Sequence, residues 1–355
     1  MIRKLASIRN VKEIRPIEGA DMIELVFVDG WQCVSKKGEF KVGDLGCYFE
    51  IDSFLPEKPE YEFLRKSSYR TMADGSKGYR LKTIKLRGQL SQGLMLHLRV
   101  LNIDHEVDLN SLEEAMDISD LLGVQKYEAP IPACLTGLVR GTFPSFIKKT
   151  DQERIQNLTE YFTKYQDEEF ELTEKLDGSS MTVYFNSGDL GVCSRGMDLT
   201  ETENNSLWKV ARTLELPNKL KDYARNIALQ GEIIGEGIQG NPYKLRGQDY
   251  RIFDIWDISA QRYMTPDERI ALLETLAIDA SHCVPLLGFR KIFQDFKTAE
   301  ELLEYANGES LLCKTKREGI VFKSRKVIST RECRFGEIIS FKAVSNAFLL
   351  GERDE

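Results

Sequence analysis

The stretch Glu174-Lys175-Leu176-Asp177-Gly178-Ser179-Ser180 sets a lysine beside an acid and a tight Gly-Ser turn, between two strand-like runs, Phe170 to Thr173 and Met181 to Phe185. A lysine at the end of a strand can be held rigidly and desolvated. Desolvation disfavours its charged form, lowers its pKa and leaves a free amine, which is a nucleophile. Asp177, two residues on, is expected on the same face, because side chains alternate along a strand. K-x-D-G alone is a weak signal.

Further segments follow it in order. Cys193-Ser194-Arg195-Gly196 closes a short strand with an arginine. Leu229 to Gly237 places Glu232 inside an otherwise apolar strand, where a carboxylate is costly unless paired or close to a cation. Arg251 to Asp257 alternates apolar and charged residues, as a core strand does, and offers the face of Phe253 to a base. Glu318 again stands before a hydrophobic strand, Gly319 to Lys323, and Ile338 to Val344 carries Lys342 near its end.

The elements that must position these residues read as two domains, which 355 residues can support. The first hundred residues are short strands with turn signals. Asp29-Gly30 joins Ile23–Val28 to Trp31–Ser35 as a hairpin, Lys41 to Asp44 turns into Leu45–Ile51, and strands recur around Tyr79 to Leu86 and Gly93 to Leu98. This pattern predicts a small closed β-barrel of the OB type, or an SH3-like barrel with no nucleic-acid role. Residues 110–122 read as helical. Pro130 and Pro132 mark a break, giving domains at 1–128 and 129–355. Thr150-x-x-Glu153 reads as a capping box opening a helix through Ile155, Leu158 and Phe162. Beyond Phe170 strands dominate, with helices near Asn205 to Leu214 and Pro266 to Leu276. The alternation is irregular, so the fold class is α+β on antiparallel sheets, not a doubly wound sheet.

Composition limits the rest. The chain is 42% hydrophobic and 30% charged, which is ordinary for a globular protein. No apolar run is long enough to span a bilayer and none follows the start as a signal peptide would, so no membrane is involved. Seven scattered cysteines without a C-x-x-C pair argue against a disulfide framework or a zinc site and for a reducing, intracellular compartment. The net charge of −7 conceals an uneven distribution. Nine Lys/Arg and one acid, Asp74, lie between Arg65 and Arg99, and an acidic stretch follows from Val100 to Glu128. A +8 segment in an acidic protein is a candidate phosphate-binding surface, or a solvated strand face paired with the acidic stretch.

The ordered set K-x-D-G, S-R-G, G-E, F-D-I, E-G-x-V-F-K and a terminal F-K, over residues 175 to 342, resembles the motif series of the covalent nucleotidyltransferases, the ATP-dependent DNA and RNA ligases and the mRNA capping enzymes. DNA ligases and capping enzymes place an OB domain after the last motif, whereas only thirteen residues follow Lys342 here. A barrel before the first motif is similar to a class of RNA ligases, and so are the segments Gly38 to Asp44, Phe49 to Pro56 and Phe143 to Asp151. The resemblance implies an N-terminal OB barrel and a C-terminal nucleotidyltransferase domain of antiparallel sheets with flanking helices.

It also implies the chemistry. Lys175 attacks the α-phosphate of ATP and expels pyrophosphate. The AMP passes to the 5′-phosphate of an RNA strand, and a 3′-OH then displaces AMP and seals the ends. Asp177, Glu232 and Glu318 would hold Mg²⁺ or Mn²⁺ through its waters. Lys342 would bind the α-phosphate, and Arg195 the ribose or the RNA 5′-phosphate. Phe253 would stack on adenine, backbone atoms of Glu174 would read the base edge, and Gly178 would line the nucleotide. Where the family has K-x-K in its last motif, this chain has Ser340-Phe341-Lys342, so a second cation must come from elsewhere, from Lys323 or the pair Lys148 and Lys149. In the barrel, Arg80, Lys82, Lys85 and Arg87 would hold RNA ends or a nicked duplex. No protein partner is expected, and the chain reads as a monomer. The rival readings are a DNA ligase of unusual domain order, a guanylyltransferase, and a non-catalytic RNA-binding protein with a degenerate transferase fold.

Overall fold

The computed structural model describes residues 4–72, 74–103, 105–127, 139–329 and 337–351. The chain divides into two compact units, Met1–Pro132 and Ala133–Glu355. The expected boundary between residues 128 and 129, with Pro130 and Pro132, lies outside the described residues.

The first unit is built from short antiparallel strands. Leu45–Phe49 lies between Ala6–Asn10 and Leu94–His97, and Ile23–Val28 lies between Glu13–Pro16 and Trp31–Lys36. A third sheet runs Gln125–Lys126, Ser53–Pro56, Lys77–Arg80, Tyr69–Thr71. Ile8, Cys47, Phe49, Leu55, Tyr61 and Tyr79 fill the core. The Asp29-Gly30 hairpin is present, with Asp29 at a φ of 48°.

The helix expected over 110–122 is not formed as one element. It is reduced to a short 3-10 turn, Leu109–Ser111, and one helical turn, Ser119–Leu122. The backbone between them pairs with the first strand instead: Ala115 N–H donates to Ile8 O, Ile8 N–H to Met116 O, and Ile118 N–H to Ala6 O. Ladder hydrogen bonds to an open strand edge outcompete the helical propensity of the acids.

The second unit holds two sheets. A seven-stranded antiparallel sheet runs Val139–Thr142, Met197–Leu199, Asp189–Cys193, Ser179–Asn186, Ile227–Gly235, Gln248–Asp257, Arg262–Tyr263. A five-stranded sheet runs Glu153–Arg154, Ser340–Val344, Gly319–Ser324, Phe170–Lys175, Leu286–Arg290. Its first pair is parallel and its other pairs are antiparallel. Helices Ser206–Thr213 and Pro266–Thr275 appear as expected, capped by Asn205 and by a Thr265/Glu268 capping box. Helix Ala299–Ala306, which sequence reading passes over, packs on the five-stranded sheet with Phe170, Phe293, Phe322 and Phe341.

The Thr150/Glu153 capping box is overturned. Glu153–Arg154 forms a strand beside Phe341 and Lys342. The Glu153 carboxylate accepts from Arg154 N–H and Asn157 Nδ2, and only a 3-10 turn, Ile155–Asn157, and a short helix, Tyr161–Lys164, follow. Among the described residues no helix is long and apolar enough to cross a membrane.

Candidate active site

The chain passes from one sheet to the other through the turn Leu176–Gly178, so Lys175 ends a strand of the five-stranded sheet beside the start of the seven-stranded one. Three contacts fix this turn. Leu176 is buried with Ile234, Tyr243 and Val284. The Asp177 N–H donates to Tyr243 Oη at 2.7 Å. Gly178 lies so close to the neighbouring strand that a Cβ would stand 2.4 Å from Ile233 O and 2.7 Å from Glu232 Cγ.

Lys175 is the register partner of Gly319, which brings the preceding Glu318 onto the amine: Nζ to Oε1 is 2.6 Å. Glu232 enters from the other sheet, opposite Ser180. Asp177 joins it through the turn; the strand ends at Lys175, so the expected alternation of faces is not what places this acid.

The electrostatics differ from expectation at the lysine. Burial pushes the Lys175 pKa down, but Glu318 and Glu232 push harder in the opposite direction, and the net shift is upward. The depressed pKa read from a strand-end lysine is therefore corrected: without ligands the amine is an ammonium paired with acids. Glu232 carries the complementary strain. Burial, with Glu318 and Asp177 nearby, pushes its carboxyl up to about 8, against the pull of Lys175 and Arg195. Asp177, Glu232 and Glu318 thus gather their carboxyl oxygens around one amine. The donors are all oxygen, which suits a hard divalent cation. Among the described residues no three Asp, Glu, His or Cys side chains converge tightly enough to grip an ion directly. A hydrated ion is the form this donor set fits.

Two further cations share one acid. Lys342 Nζ is 3.7 Å and Arg195 Nη2 3.8 Å from the Asp151 carboxylate. Arg154, buried at 5% exposure, is the parallel register partner of Lys342, and its charge reaches Lys175. Sequence reading missed Arg154 because a strand-opening T-x-x-E is indistinguishable from a capping box.

Phe253 is the extra residue of a β-bulge: Gln230 pairs with Asp254 while Gly231 pairs with Ile252. A bulge re-aims a side chain. The half-buried ring packs on the Leu176, Tyr243 and Val284 cluster beside the lysine turn. Tyr243 is the other residue that sequence gave no reason to choose.

The remaining candidates fall elsewhere. The Glu174 N–H donates to Pro285 O, so that donor is engaged within the fold. Its buried carboxyl accepts from Leu311 N–H through Oε2, and Oε1 has no hydrogen-bond partner among the described residues. Lys323 is 2% exposed and donates to Asp254 Oδ1 and to the Phe253 carbonyl, so its charge is engaged within the fold. Lys148 and Lys149 are exposed, over the rings of Tyr263 and Phe143. The Lys148 carbonyl is tied to Gln230, two residues from Glu232.

In the first unit, Lys82, Lys85 and Arg87 are exposed. Arg87 and Gly88, both at positive φ, form the tip of the hairpin between Ile84–Leu86 and Gln89–Ser91. Arg80 pairs with Asp52 at 3.0 Å and lies 4.5 Å above the ring of Tyr127. Partial burial and the crowding of Arg80 and Arg70 push the Lys82 pKa down, a local excess of positive charge that an anion would relieve.

Comparison with known proteins matches both units. Residues 5–98 match an OB-fold domain model and residues 168–344 match an RNA ligase model. Among solved structures, a Naegleria gruberi RNA ligase variant with AMP and Mn is 46% identical, covers 98% of each chain and superposes with a TM-score of 0.84. A variant of the same protein with ATP and Mn gives the same figures. Its complex with pyrophosphate is 47% identical over 98% of each chain, with a TM-score of 0.82. No curated protein matches the chain.

Proposed function

The chain belongs to the RNA ligase family, and on that footing we propose that it joins a 3′-OH RNA end to a 5′-phosphate end at nicks in duplexes, with ATP, through lysyl-AMP at Lys175. The observation that carries this reading is the placement of Lys175 between Glu318 and Glu232 at the junction of the two sheets. The solved relatives hold ATP or AMP with Mn, which supports ATP and a divalent ion as cofactors here.

In the first step Nζ of Lys175 forms a bond to the α-phosphorus and the bond to pyrophosphate breaks. The amine must first lose its proton to solvent, and offsetting the negative charge of the acids around it makes that loss easier. Asp177, Glu232 and Glu318 would hold a divalent ion through its waters, and that ion would supply the offsetting charge and stabilise charge on the phosphate oxygens.

Lys342 and Arg195 exchange Asp151 for phosphate oxygens, and Arg154, beside Lys342, is the second cation that Ser340 does not provide. Phe253 stacks on adenine. Glu174 reads the base edge through its carboxyl, because its N–H is engaged by Pro285. Gly178 keeps the turn flat against the Glu232 strand under the nucleotide. In the barrel, Arg80, Lys82, Lys85 and Arg87 hold the duplex beside the nick. The five described cysteines are free thiols, which suits a reducing, intracellular compartment. We expect a monomer with no protein partner.

The test is intact-mass analysis after incubation with ATP and metal, then sealing of a nick with ribose or deoxyribose at the 3′-OH. An AMP adduct lost in Lys175→Ala and sealing that requires ribose support the proposal. An adduct that survives Lys175→Ala, an adduct formed from GTP in preference, or equal sealing of deoxyribose ends overturns it.

A further inference from the structure

Four charged side chains are buried together behind the site, each at 5% exposure or less: Glu171, Asp254, Arg269 and Lys323. They come from four elements. Glu171 and Lys323 are register partners in the five-stranded sheet, Asp254 lies on the Phe253 strand of the other sheet, and Arg269 lies on helix Pro266–Thr275. Arg269 Nη1 donates to Glu171 Oε2 at 3.1 Å, and Lys323 donates to Asp254 Oδ1 at 2.8 Å. Both cations also donate to one further acceptor, the carbonyl of Phe253, from Arg269 at 3.0 Å and from Lys323.

That acceptor is the carbonyl of the bulge residue, which the strand ladder leaves over. A buried ionic cluster is weak evidence for stability, since apolar side chains of similar volume hold two layers together equally well. Apolar side chains would not supply two charge-assisted donors to one carbonyl, and such donors are short and directional.

We propose that Arg269 and Lys323, held in place by Glu171 and Asp254, are positioning residues that grip the Phe253 carbonyl and thereby set the angle and depth of the ring that takes the adenine. This rests on the adenine-stacking role given to Phe253 above. It assigns Lys323 to the base side of the site and gives Arg269 a part in nucleotide selection.

The test is a mutant cycle on single-turnover adduct formation, reading the ATP concentration at half-maximal rate separately from the limiting rate. Phe253→Ala should raise the half-maximal concentration by about tenfold or more, as expected for loss of one base–aromatic stack. Arg269→Met should raise it by about tenfold through misplacement of the ring, with the limiting rate held. In the Phe253→Ala background, Arg269→Met should add nothing, because the two act through one group. An unchanged half-maximal concentration in Phe253→Ala sinks the stacking assignment itself. A normal Phe253→Ala effect with an additive, absent or rate-only effect of Arg269→Met sinks the positioning role alone. Should Arg269→Met fail to fold, Arg269→Lys, which keeps the buried charge and loses the forked donor, is put through the same cycle with the same criteria.

Discussion

Lys175 Nζ lies 2.6 Å from Glu318 Oε1, so the nucleophile is stored in the form that cannot attack. Its raised pKa means that this pair's contribution to stability is full below the ordinary lysine value of 10.5 and is lost as pH rises through the higher folded value. Adduct formation should therefore accelerate with pH, and added Mg²⁺ or Mn²⁺ should move the midpoint of the rate profile downward by neutralising the acids. Rate profiles at several metal concentrations check this. A midpoint indifferent to metal would mean that the acids do not control the amine.

Glu232 gives a dependence of the same sign at lower pH. Its carboxyl is raised from 4.5 to about 8, so between those values the folded protein binds a proton that the unfolded chain has released. Stability should fall as pH rises through that window and level off above it. Glu232→Gln should melt higher than the parent at pH 8 by about 2–4 °C for each kcal/mol relieved, while losing adduct formation. Thermal melts of the two proteins across pH 5 to 9, in buffers without metal, should diverge on the alkaline side.

Gly178 has no room for a side chain. A Cβ at 2.4 Å from Ile233 O and 2.7 Å from Glu232 Cγ must displace the strand or the acid. Gly178→Ala should cost about 1–3 kcal/mol of stability by overpacking and cut adduct formation more than it lowers the melting point suggests. A variant with normal rate and normal stability would show that the turn moves freely.

Asp151 occupies both Lys342 and Arg195. Asp151→Asn should tighten pyrophosphate binding several-fold, measured by calorimetry, because the phosphate oxygens no longer compete with a carboxylate. Weaker binding would instead assign Asp151 the task of holding those cations in place.

Lys82 stands in a crowd of positive charge with Arg80 and Arg70. Lys82→Ala should leave adduct formation intact and weaken duplex binding, lowering the slope of log affinity against log salt by about 1. An unchanged slope would remove this residue from the nucleic-acid surface.

What the sequence disclosed, and what it withheld, follows from the range of the forces involved. The strands bearing Lys175, Glu232, Phe253 and Lys342, and the one that Glu318 precedes, were legible because apolar runs between turn signals specify strands locally, and the motifs sit on or beside them. The ionisation of Lys175 was not legible, because its sign depends on two acids brought in by distant strands. Arg154 was hidden by a local capping signal that tertiary pairing with Lys342 overrode. Residues 110–122 lost their helix to the same kind of competition, with the first strand as the winner. Glu171 and Arg269 carry no signal in the sequence, since nothing in the linear chain shows that helix Pro266–Thr275 delivers an arginine to a buried strand carboxylate.

The passage of the chain between the two sheets at Leu176–Gly178 has a mechanical consequence. Lys175 and Glu318 travel on one layer, whereas Glu232 and Phe253 travel on the other. Any slip of one layer across the other leaves the amine's companion acid where it was and alters its gap to the second acid and to the ring. Reaction geometry in this enzyme is thus exposed to relative sliding of the two layers, which the three-residue link and the charges buried behind it tie together.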